Sequence, residues 1–137
     1  MAENTNPPTI AVIDASFLLS YCMPDEKNDV VTRVMDLYTQ GTTNFISSPL
    51  LMFEVCNALN MAVRRKRLSR NHAETMTQSI LLYDIEYIPM QFTEVFSLAI
   101  KQGITVYDAS YLWIAQTRSI PLLTLDKKLS SLAPKFP

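Results

Sequence analysis

Glycine and cysteine are both scarce in this sequence, with two residues of each. With two glycines among 137 residues, it cannot form a glycine-rich phosphate loop or a dinucleotide-binding fingerprint. Both of them, Gly41 and Gly103, follow helical patterns, and we expect each to adopt the left-handed conformation just beyond a helix. Cys22 and Cys56 lie in apolar helical patterns, which predicts buried, reduced side chains rather than a disulfide or a metal pair.

Long apolar runs and an excess of charge are also missing. No apolar run approaches the roughly 18 residues that a membrane-spanning helix needs. Residues 1–8 are polar, contain two prolines and lack the basic and apolar regions of a secretory signal. The formal net charge of −1 creates no overall attraction to nucleic acid or membrane. We therefore expect a cytoplasmic protein, without membrane association, whose N-terminus is flexible over residues 1–8.

The rest of the chain has the composition of a folded domain. Apolar residues make up 48% and charged residues 18%, which is typical of a globular protein with a sizeable core. The length suits one domain over residues 9–137. Short apolar runs predict strands over residues 9–13, 44–47, 86–89 and 121–125. Helical patterns separate them, so we expect a three-layer α/β/α sandwich with a central parallel sheet of four or five strands.

The spacing of apolar residues predicts seven helices, and several have clear end signals. Ser48 is expected as an N-cap with Pro49 at the first helical position. Ser69 and Thr93 are expected to begin two further helices. The predicted helices cover residues 16–23, 30–40, 49 into the basic residues 64–67, 69–83, 94–102, 109–117 and 127–132.

The first strand ends on an acid, Asp14. An Asp at this point lies at the carboxyl edge of the sheet, where open α/β folds bind ligands. Glu54 falls inside an apolar helix, Asp108 opens another, and Asp126 is expected to end the fourth strand as Asp14 ends the first. An ionised carboxylate in apolar surroundings needs a counter-charge or a proton.

Each of these acids also has an ordinary interpretation. Asp108 suits a helix start, Asp126 suits a turn or an N-cap, and Glu54 suits a half-exposed surface position. Asp14 is the hardest to explain in this way, because no basic residue adjoins it. Four such acids together favour a metal site at one edge of the sheet.

The one dense basic segment comprises Arg64, Arg65, Lys66, Arg67 and Arg70. Cations at the end of a helix suit its dipole and are often only solvated. They also suit contacts with the RNA backbone or with an acidic partner protein. Both interpretations stay open.

The four acids and their neighbours resemble the PIN domain, and more narrowly the VapC-type ribonuclease toxins of toxin–antitoxin pairs. The resemblance spans residues 9–132 and rests on four segments in the family's order. They are residues 12–16 (VIDAS), 53–59 (FEVCNAL), 107–112 (YDASYL) and 123–126 (LTLD). The fold that this resemblance implies is again a compact α/β/α sandwich.

The resemblance implies that Asp14, Glu54, Asp108 and Asp126 hold one or two Mg²⁺ or Mn²⁺ ions. Ser16 and Thr124 stand where the family has hydroxyl groups that support the first and last Asp. A homodimer and a small antitoxin partner are implied in the same way. The chain departs from the family at Lys127 and Lys128, where a further acid is common, and this bears on how firmly a second ion is held.

The chemistry of the residues is consistent with that resemblance. Hard oxygen ligands suit Mg²⁺ or Mn²⁺, whereas a zinc site would need histidine or cysteine. The only histidine, His72, lies in a polar stretch and is expected at the surface. With no His or Lys placed as a base, we expect a metal-activated water to attack phosphorus in line, with Asp126 binding metal or orienting that water.

The leading hypothesis is a metal-dependent endoribonuclease that acts as a toxin and is held inactive by an antitoxin. One alternative is a PIN nuclease of RNA processing that has no antitoxin. Another is a catalytically inactive PIN-like binding module, although such a module would gain stability by replacing its buried acids. An aspartate-nucleophile phosphatase would want a second acid two residues after Asp14, where Ser16 stands.

Overall fold

The computed structural model describes residues 10–134, and within this range the chain forms four strands and seven helices. The predicted flexible segment, residues 1–8, lies outside the described residues. The strands are β1 (Ile10–Ile13), β2 (Asn44–Ser47), β3 (Ile85–Tyr87) and β4 (Leu122–Leu123). The helices are α1 (Ala15–Cys22), α2 (Asp29–Thr39), α3 (Leu51–Arg64), α4 (Arg70–Leu81), α5 (Phe92–Gln102), α6 (Val106–Arg118) and α7 (Lys127–Leu132).

The four strands form one parallel sheet in the order β3-β2-β1-β4. The predicted parallel sheet is therefore confirmed, with four strands in the described part of the chain. Strand β1 has a neighbour on each side, and its residues Ala11, Val12 and Ile13 are fully buried. That position explains its unbroken apolar sequence. Because the strands are parallel, their carboxyl ends meet at one edge of the sheet.

Helices cover the sheet in two groups. Helix α1 packs against α2 and α3, and α3 packs against α4, whereas α5 packs on α6 and α6 contacts β1 and β4. Leu51 and Leu59 of α3 are buried on one side, and Leu112 and Ile114 of α6 on the other. Burial of each such side chain contributes roughly 1.5–3 kcal/mol. The arrangement is the predicted three-layer α/β/α sandwich.

Several predicted helix ends are confirmed. The Ser69 side chain caps α4 by accepting a hydrogen bond from the backbone N of His72 at 3.1 Å. Gly41 and Gly103 have φ angles of 75° and 63°, the left-handed region in which glycine pays no steric penalty. The last helix covers the predicted residues 127–132.

Other helix starts differ from the prediction. Ser48 and Pro49 form a turn before α3 rather than its first residues: the Ser48 carbonyl accepts from the backbone N of Leu51 at 3.0 Å, and its hydroxyl from that of Leu50 at 3.2 Å. Thr93 is not an N-cap, because α5 already begins at Phe92 without a side-chain cap. Helix α6 begins at Val106, three residues before the predicted start.

The prediction that Asp126 ends the fourth strand was wrong. Pairing of β4 with β1 stops at Leu123, opposite Ile13, because β1 itself gives way to α1 two residues later. Asp126 is instead the N-cap of α7, and its Oδ1 accepts from the backbone N of Leu129 at 2.9 Å. The N-cap alternative for this residue is therefore the correct one.

Both cysteines are free, as predicted, but each is half-buried rather than buried. Burial raises the pKa of the Cys22 thiol to about 11, so this thiol stays protonated near neutral pH. Within residues 10–134, no helix combines the length and apolar character that crossing a membrane requires.

Candidate active site

The four acids singled out in the sequence lie at the N-terminal ends of four different helices. Asp14 caps α1 and Asp126 caps α7, while Glu54 and Asp108 lie in the first turns of α3 and α6. Helix N-termini present unpaired backbone N–H groups and favour negative charge. Because α1, α3 and α7 follow β1, β2 and β4, their N-termini gather at the carboxyl edge of the sheet.

Asp14 is the most tightly held of these acids, with 6% of its surface exposed. Its Oδ1 accepts hydrogen bonds from the Ser16 hydroxyl at 2.7 Å and from the backbone N of Phe17 at 3.0 Å. Its Oδ2 accepts from the Thr124 hydroxyl. Burial raises the pKa of Asp14, these hydrogen bonds oppose the rise, and the charge of Asp108 adds to it. The carboxyl group is therefore fixed in orientation by three donors.

Ser16 and Thr124 both serve the same carboxyl group. The expectation from the resemblance was one hydroxyl for the first Asp and one for the last. Thr124 does reach Asp126, but as the acceptor of its backbone N–H at 3.0 Å rather than through the carboxylate. The Ser16 hydroxyl oxygen also accepts from the backbone N of Leu125 at 2.9 Å. These contacts tie the start of α1 to the segment between β4 and α7.

Glu54 is held by a residue to which the sequence analysis gave no role. The Tyr111 hydroxyl donates to Oε1 of Glu54 at 2.5 Å, and the Tyr111 side chain is buried. Burial raises the pKa of Glu54, the Tyr111 hydrogen bond lowers it, and the charges of Asp108 and Asp14 raise it further. Tyr111 follows Asp108 by three residues on α6, so the two share one helix face. That spacing was the signal available in the sequence.

Asp108 links the acids electrostatically. Burial is the main cause of its raised pKa, the charge of Asp126 adds to it, and a hydrogen bond with Thr105 opposes it. Asp108 in turn acts on both Asp14 and Glu54. In the described part of the chain, none of these acids takes part in an ion pair. Like charges gathered without a counter-ion on the protein are a recognised mark of a functional site.

Buried serines connect the elements that carry the acids. The Ser47 hydroxyl donates to the Ile13 carbonyl at 2.6 Å, and the Ser110 and Ser48 hydroxyl oxygens are 2.8 Å apart. All three serines are buried. The sequence analysis missed this contact between α6 and the turn before α3, because small polar residues carry no pattern of their own.

The acids have the chemistry of a hard-cation site without a closed ligand cluster. Over residues 10–134, no three Asp, Glu, His or Cys side chains are arranged so that they could hold a metal ion as they stand. Hydroxyl and N–H donors already engage both oxygens of Asp14 and one of Glu54. The donor set consists only of oxygen, which suits Mg²⁺ or Mn²⁺, and His72 is exposed on α4. In donor type and charge, the residues fit the expected ion.

The basic segment is divided by its ion pairs. Arg67 lies 2.9 Å from Asp25 and 3.6 Å from Glu26, and Arg70 lies 2.7 Å from Glu74, measured between side-chain nitrogen and oxygen. Within this segment, the exposed cations that form no ion pair with the described residues are Arg64, Arg65 and Lys66. Three of the five cations thus keep their charge available.

Lys127 and Lys128, the departures from the family pattern, are exposed at the start of α7. The Lys128 amino group donates to the Gly103 carbonyl at 3.1 Å. This contact joins α7 to the turn between α5 and α6, close in sequence to the helix that carries Asp108.

Comparison with known proteins gives the family. A model of the PIN domain matches residues 11–135. Ribonuclease VapC3 of Pyrobaculum aerophilum is 32% identical over 134 residues, which cover 92% of this chain and 94% of that protein. Exonuclease VapC9 of the same organism is 32% identical over 82 residues, or 58% of this chain and 60% of that protein.

Solved structures agree on the fold. PAE2754 from Pyrobaculum aerophilum superposes with a TM-score of 0.66 at 22% identity, covering 91% of this chain and 85% of that one. Mycobacterium tuberculosis VapC20, described as a sarcin–ricin loop cleaving toxin, gives a TM-score of 0.63 at 13% identity over 88% and 93%. The family model and the extended match to ribonuclease VapC3 together show that the chain belongs to the PIN-domain family, within its VapC group.

Proposed function

We propose that this protein is a metal-dependent endoribonuclease that hydrolyses phosphodiester bonds in RNA and acts as the toxin of a toxin–antitoxin pair. The observation that carries the proposal is the set of four acids at one edge of the sheet. The charge of a neighbouring acid raises the pKa of Asp14, Glu54 and Asp108, and none of the four acids forms an ion pair with the described residues. The relatives named ribonuclease VapC3 and sarcin–ricin loop cleaving toxin support the substrate class.

We assign one or two Mg²⁺ or Mn²⁺ ions to Asp14, Glu54, Asp108 and Asp126. When bound, such an ion lowers the pKa of its water and neutralises charge on the phosphate. A cation would also offset the repulsion that raises the pKa of Asp108. Because Lys127 and Lys128 replace a further acid, fewer carboxylates remain for a second ion.

The chain's own residues keep the acids in place. The Ser16 and Thr124 hydroxyls and the backbone N of Phe17 hold Asp14, and the Tyr111 hydroxyl holds Glu54. These fixed groups limit the rearrangement that binding RNA requires. Asp126 is exposed and therefore suits either a direct contact with the ion or the orientation of the attacking water.

The partners of this protein follow from the same proposal. Arg64, Arg65 and Lys66 suit contacts with RNA phosphates or with acidic residues of a small antitoxin. A homodimer is supported by α5, whose side chains Phe92, Phe96 and Ile100 are exposed at the spacing of one helix face. Free cysteines suit the reducing cytoplasm. The family match to residues 11–135 supports one domain over residues 9–137.

Cleavage of RNA with and without metal tests the proposal. A mixed RNA pool and a circular RNA are incubated with purified protein in Mg²⁺, Mn²⁺ or EDTA. We expect cleavage only with metal, loss of cleavage in Asp108→Asn, and retention in Asp36→Asn, which changes an exposed acid of α2. Linearisation of the circular RNA shows internal cleavage. Activity in EDTA, or in Asp108→Asn at the wild-type rate, contradicts the proposal.

A second candidate is a nuclease that acts from RNA ends or in RNA processing without an antitoxin. This candidate is considered because one relative, VapC9, is named an exonuclease. Degradation of linear RNA with the circular RNA left intact is the result that this candidate predicts. The chemistry assigned to the four acids is the same in both cases.

A further inference from the structure

A shallow depression lies directly beside the acidic edge of the sheet. It has a volume of about 290 Å³ and is lined by Leu50, Phe53, Glu54, Asn57 and Tyr107. One of these residues, Glu54, belongs to the acidic set, so whatever occupies the depression lies next to the proposed reaction site.

Two exposed aromatic rings flank this depression. Phe53 is 78% and Tyr107 is 60% exposed. Single exposed apolar residues need no explanation, but two large rings on one depression leave an unusual amount of apolar surface in water. Phe53 directly precedes Glu54 and Tyr107 directly precedes Asp108. The same two helical turns therefore carry both rings and both acids, which fixes the rings close to the acids.

The depression also contains an amide. Asn57 lies four residues after Phe53 on α3, so the two side chains share one helix face. An Asn side chain offers both a donor and an acceptor, and it pairs with the edges of nucleobases. Proteins bind unpaired bases of single-stranded RNA by stacking them on aromatic rings and by hydrogen bonding to their edges, for which an amide is suited.

We propose that an unpaired base of the RNA substrate stacks on Phe53 and Tyr107, with its edge towards Asn57, while the neighbouring phosphate lies at the four acids. The inference rests on the proposed ribonuclease function and adds a base-binding site to it. The base is the uncharged part of a nucleotide, so the acids do not repel it. A protein docked on the depression would instead cover Glu54, which RNA must reach. The stripe of Phe92, Phe96 and Ile100 on α5 offers a second copy of the chain a neighbouring surface, which meets the depression at Tyr107.

Binding of RNA that lacks one base tests this site. The RNA is a fluorescein-labelled oligouridine of about ten nucleotides, together with copies that each carry one abasic nucleotide at a different position. Each RNA is titrated in Mg²⁺ with the full-length Asp14→Asn protein, because this variant is expected not to cleave it. Phe53→Leu and Tyr107→Leu each remove a ring, whereas Phe53→Tyr and Tyr107→Phe retain it. Tyr21→Leu, an exposed residue of α1, is the control.

At one position of the RNA, we expect loss of the base to weaken binding roughly 5- to 150-fold in the ring-retaining and control proteins, the range that stacking of one base provides. That penalty should disappear when either ring is removed. An equal penalty with and without the rings overturns the inference, as does a complete lack of binding to the ring-retaining proteins. Sedimentation analysis of the same proteins tests whether the depression is instead a dimer interface. If removing a ring dissociates a dimer and leaves the effect of the abasic nucleotide unchanged, the depression binds a second copy of the chain and not a base.

Failure of this site and failure of the ribonuclease proposal are distinguishable. Suppose that the wild-type protein cleaves RNA with metal, but an abasic nucleotide weakens RNA binding equally with and without the two rings. The proposed base site is then wrong, and the proposed function stands. If the wild-type protein cleaves no RNA, the function is wrong, and the binding titration still decides whether the rings hold a base.

Discussion

The acidic edge of the sheet and the basic segment at residues 64–70 are both concentrations of one charge, but the fold treats them differently. In the basic segment, Arg67 and Arg70 form ion pairs with neighbouring acids on the surface. At the acidic edge, Asp14 and Glu54 are held by hydroxyl and N–H donors and by no cation of the described chain.

This difference indicates which charged groups are expected to bind an ion or another molecule. An exposed ion pair satisfies its own charges and contributes little to stability. An acid whose pKa is raised by burial and by the charge of a neighbouring acid makes an unfavourable contribution to folding, which a bound cation reverses. On this basis we expect the ion to bind at the acidic edge. Within the basic segment, we expect only the residues without ion pairs, Arg64, Arg65 and Lys66, to contact a partner.

The largest effect is expected from removing the charge of Asp14. In Asp14→Asn the side-chain oxygen still caps α1, so the protein should fold. Loss of a residue that merely positions a metal ligand costs about 10- to 100-fold in affinity or activity, so loss of a ligand should lower kcat/KM at least 100-fold. RNA cleavage rates in Mg²⁺, with circular dichroism as the check on folding, measure this. A folded variant with near wild-type activity would remove Asp14 from the site.

Tyr111→Phe is expected to have the next largest effect. It removes the hydroxyl that donates to Glu54 and keeps the buried ring, so Glu54 loses its fixed orientation. We expect the Mg²⁺ concentration for half-maximal activity to rise about 10- to 100-fold. Tyr83→Phe, a change in a half-buried tyrosine that stacks edge-on with Tyr38, is the matched control. Equal metal requirements in the two variants would mean that Tyr111 serves only the core.

The two parts of the basic segment should respond differently to neutralisation. Changing Arg64, Arg65 and Lys66 to Gln should weaken RNA binding and reduce its salt dependence by about one unit of log–log slope for each RNA phosphate that these side chains neutralise. Changing Arg67 and Arg70 to Gln should leave the slope nearly unchanged, because neighbouring acids already occupy their charges. Fluorescence anisotropy at several salt concentrations gives both slopes. Equal slopes for the two variants would show that the cations with ion pairs and those without contribute alike to RNA binding.

The smallest effect concerns stability and pH in EDTA. A carboxyl group whose pKa is raised by folding makes its unfavourable contribution above that pKa, and the contribution disappears as the pH falls towards the ordinary value near 4. Folding raises the pKa of Asp108. The free energy of unfolding of Asp108→Asn, relative to wild type, should therefore be greatest at pH 7 and decline on acidification. Urea denaturation across this range measures it, and a relative stability that increases on acidification would reverse the assigned sign.

The sequence was sufficient for the sheet and for the four acids because their signals are local. An unbroken apolar run that stops at Asp14 predicts both a strand and the position of the acid that follows it. Asp126 was harder, since the extent of β4 depends on its pairing with β1, and that pairing ends at Leu123. Its N-cap role could be named only as an alternative.

Contacts between distant parts of the chain were not predictable in this way. Tyr111 reaches Glu54 across 57 positions, and Arg67 reaches Asp25 across 42. Neither pair leaves a pattern within either segment, so the sequence analysis gave Tyr111 no role and treated all five cations alike. The starts of α3 and α5 were predicted wrongly for a different reason: Ser and Thr, as at Ser48 and Thr93, are common in turns as well as at helix N-caps.

Binding of Mn²⁺ tests the central claim most directly, because that claim is that the acidic edge binds a cation from solution. The measurement is the melting temperature of the wild-type protein, of Asp14→Asn and of the Arg67→Gln control, with Mn²⁺ and with EDTA. We predict that Mn²⁺ raises the melting temperature of the wild-type and control proteins, since a ligand that binds only the folded state stabilises it, and that Asp14→Asn shows little or no increase. An equal increase in Asp14→Asn, or none in the wild type, would contradict the account.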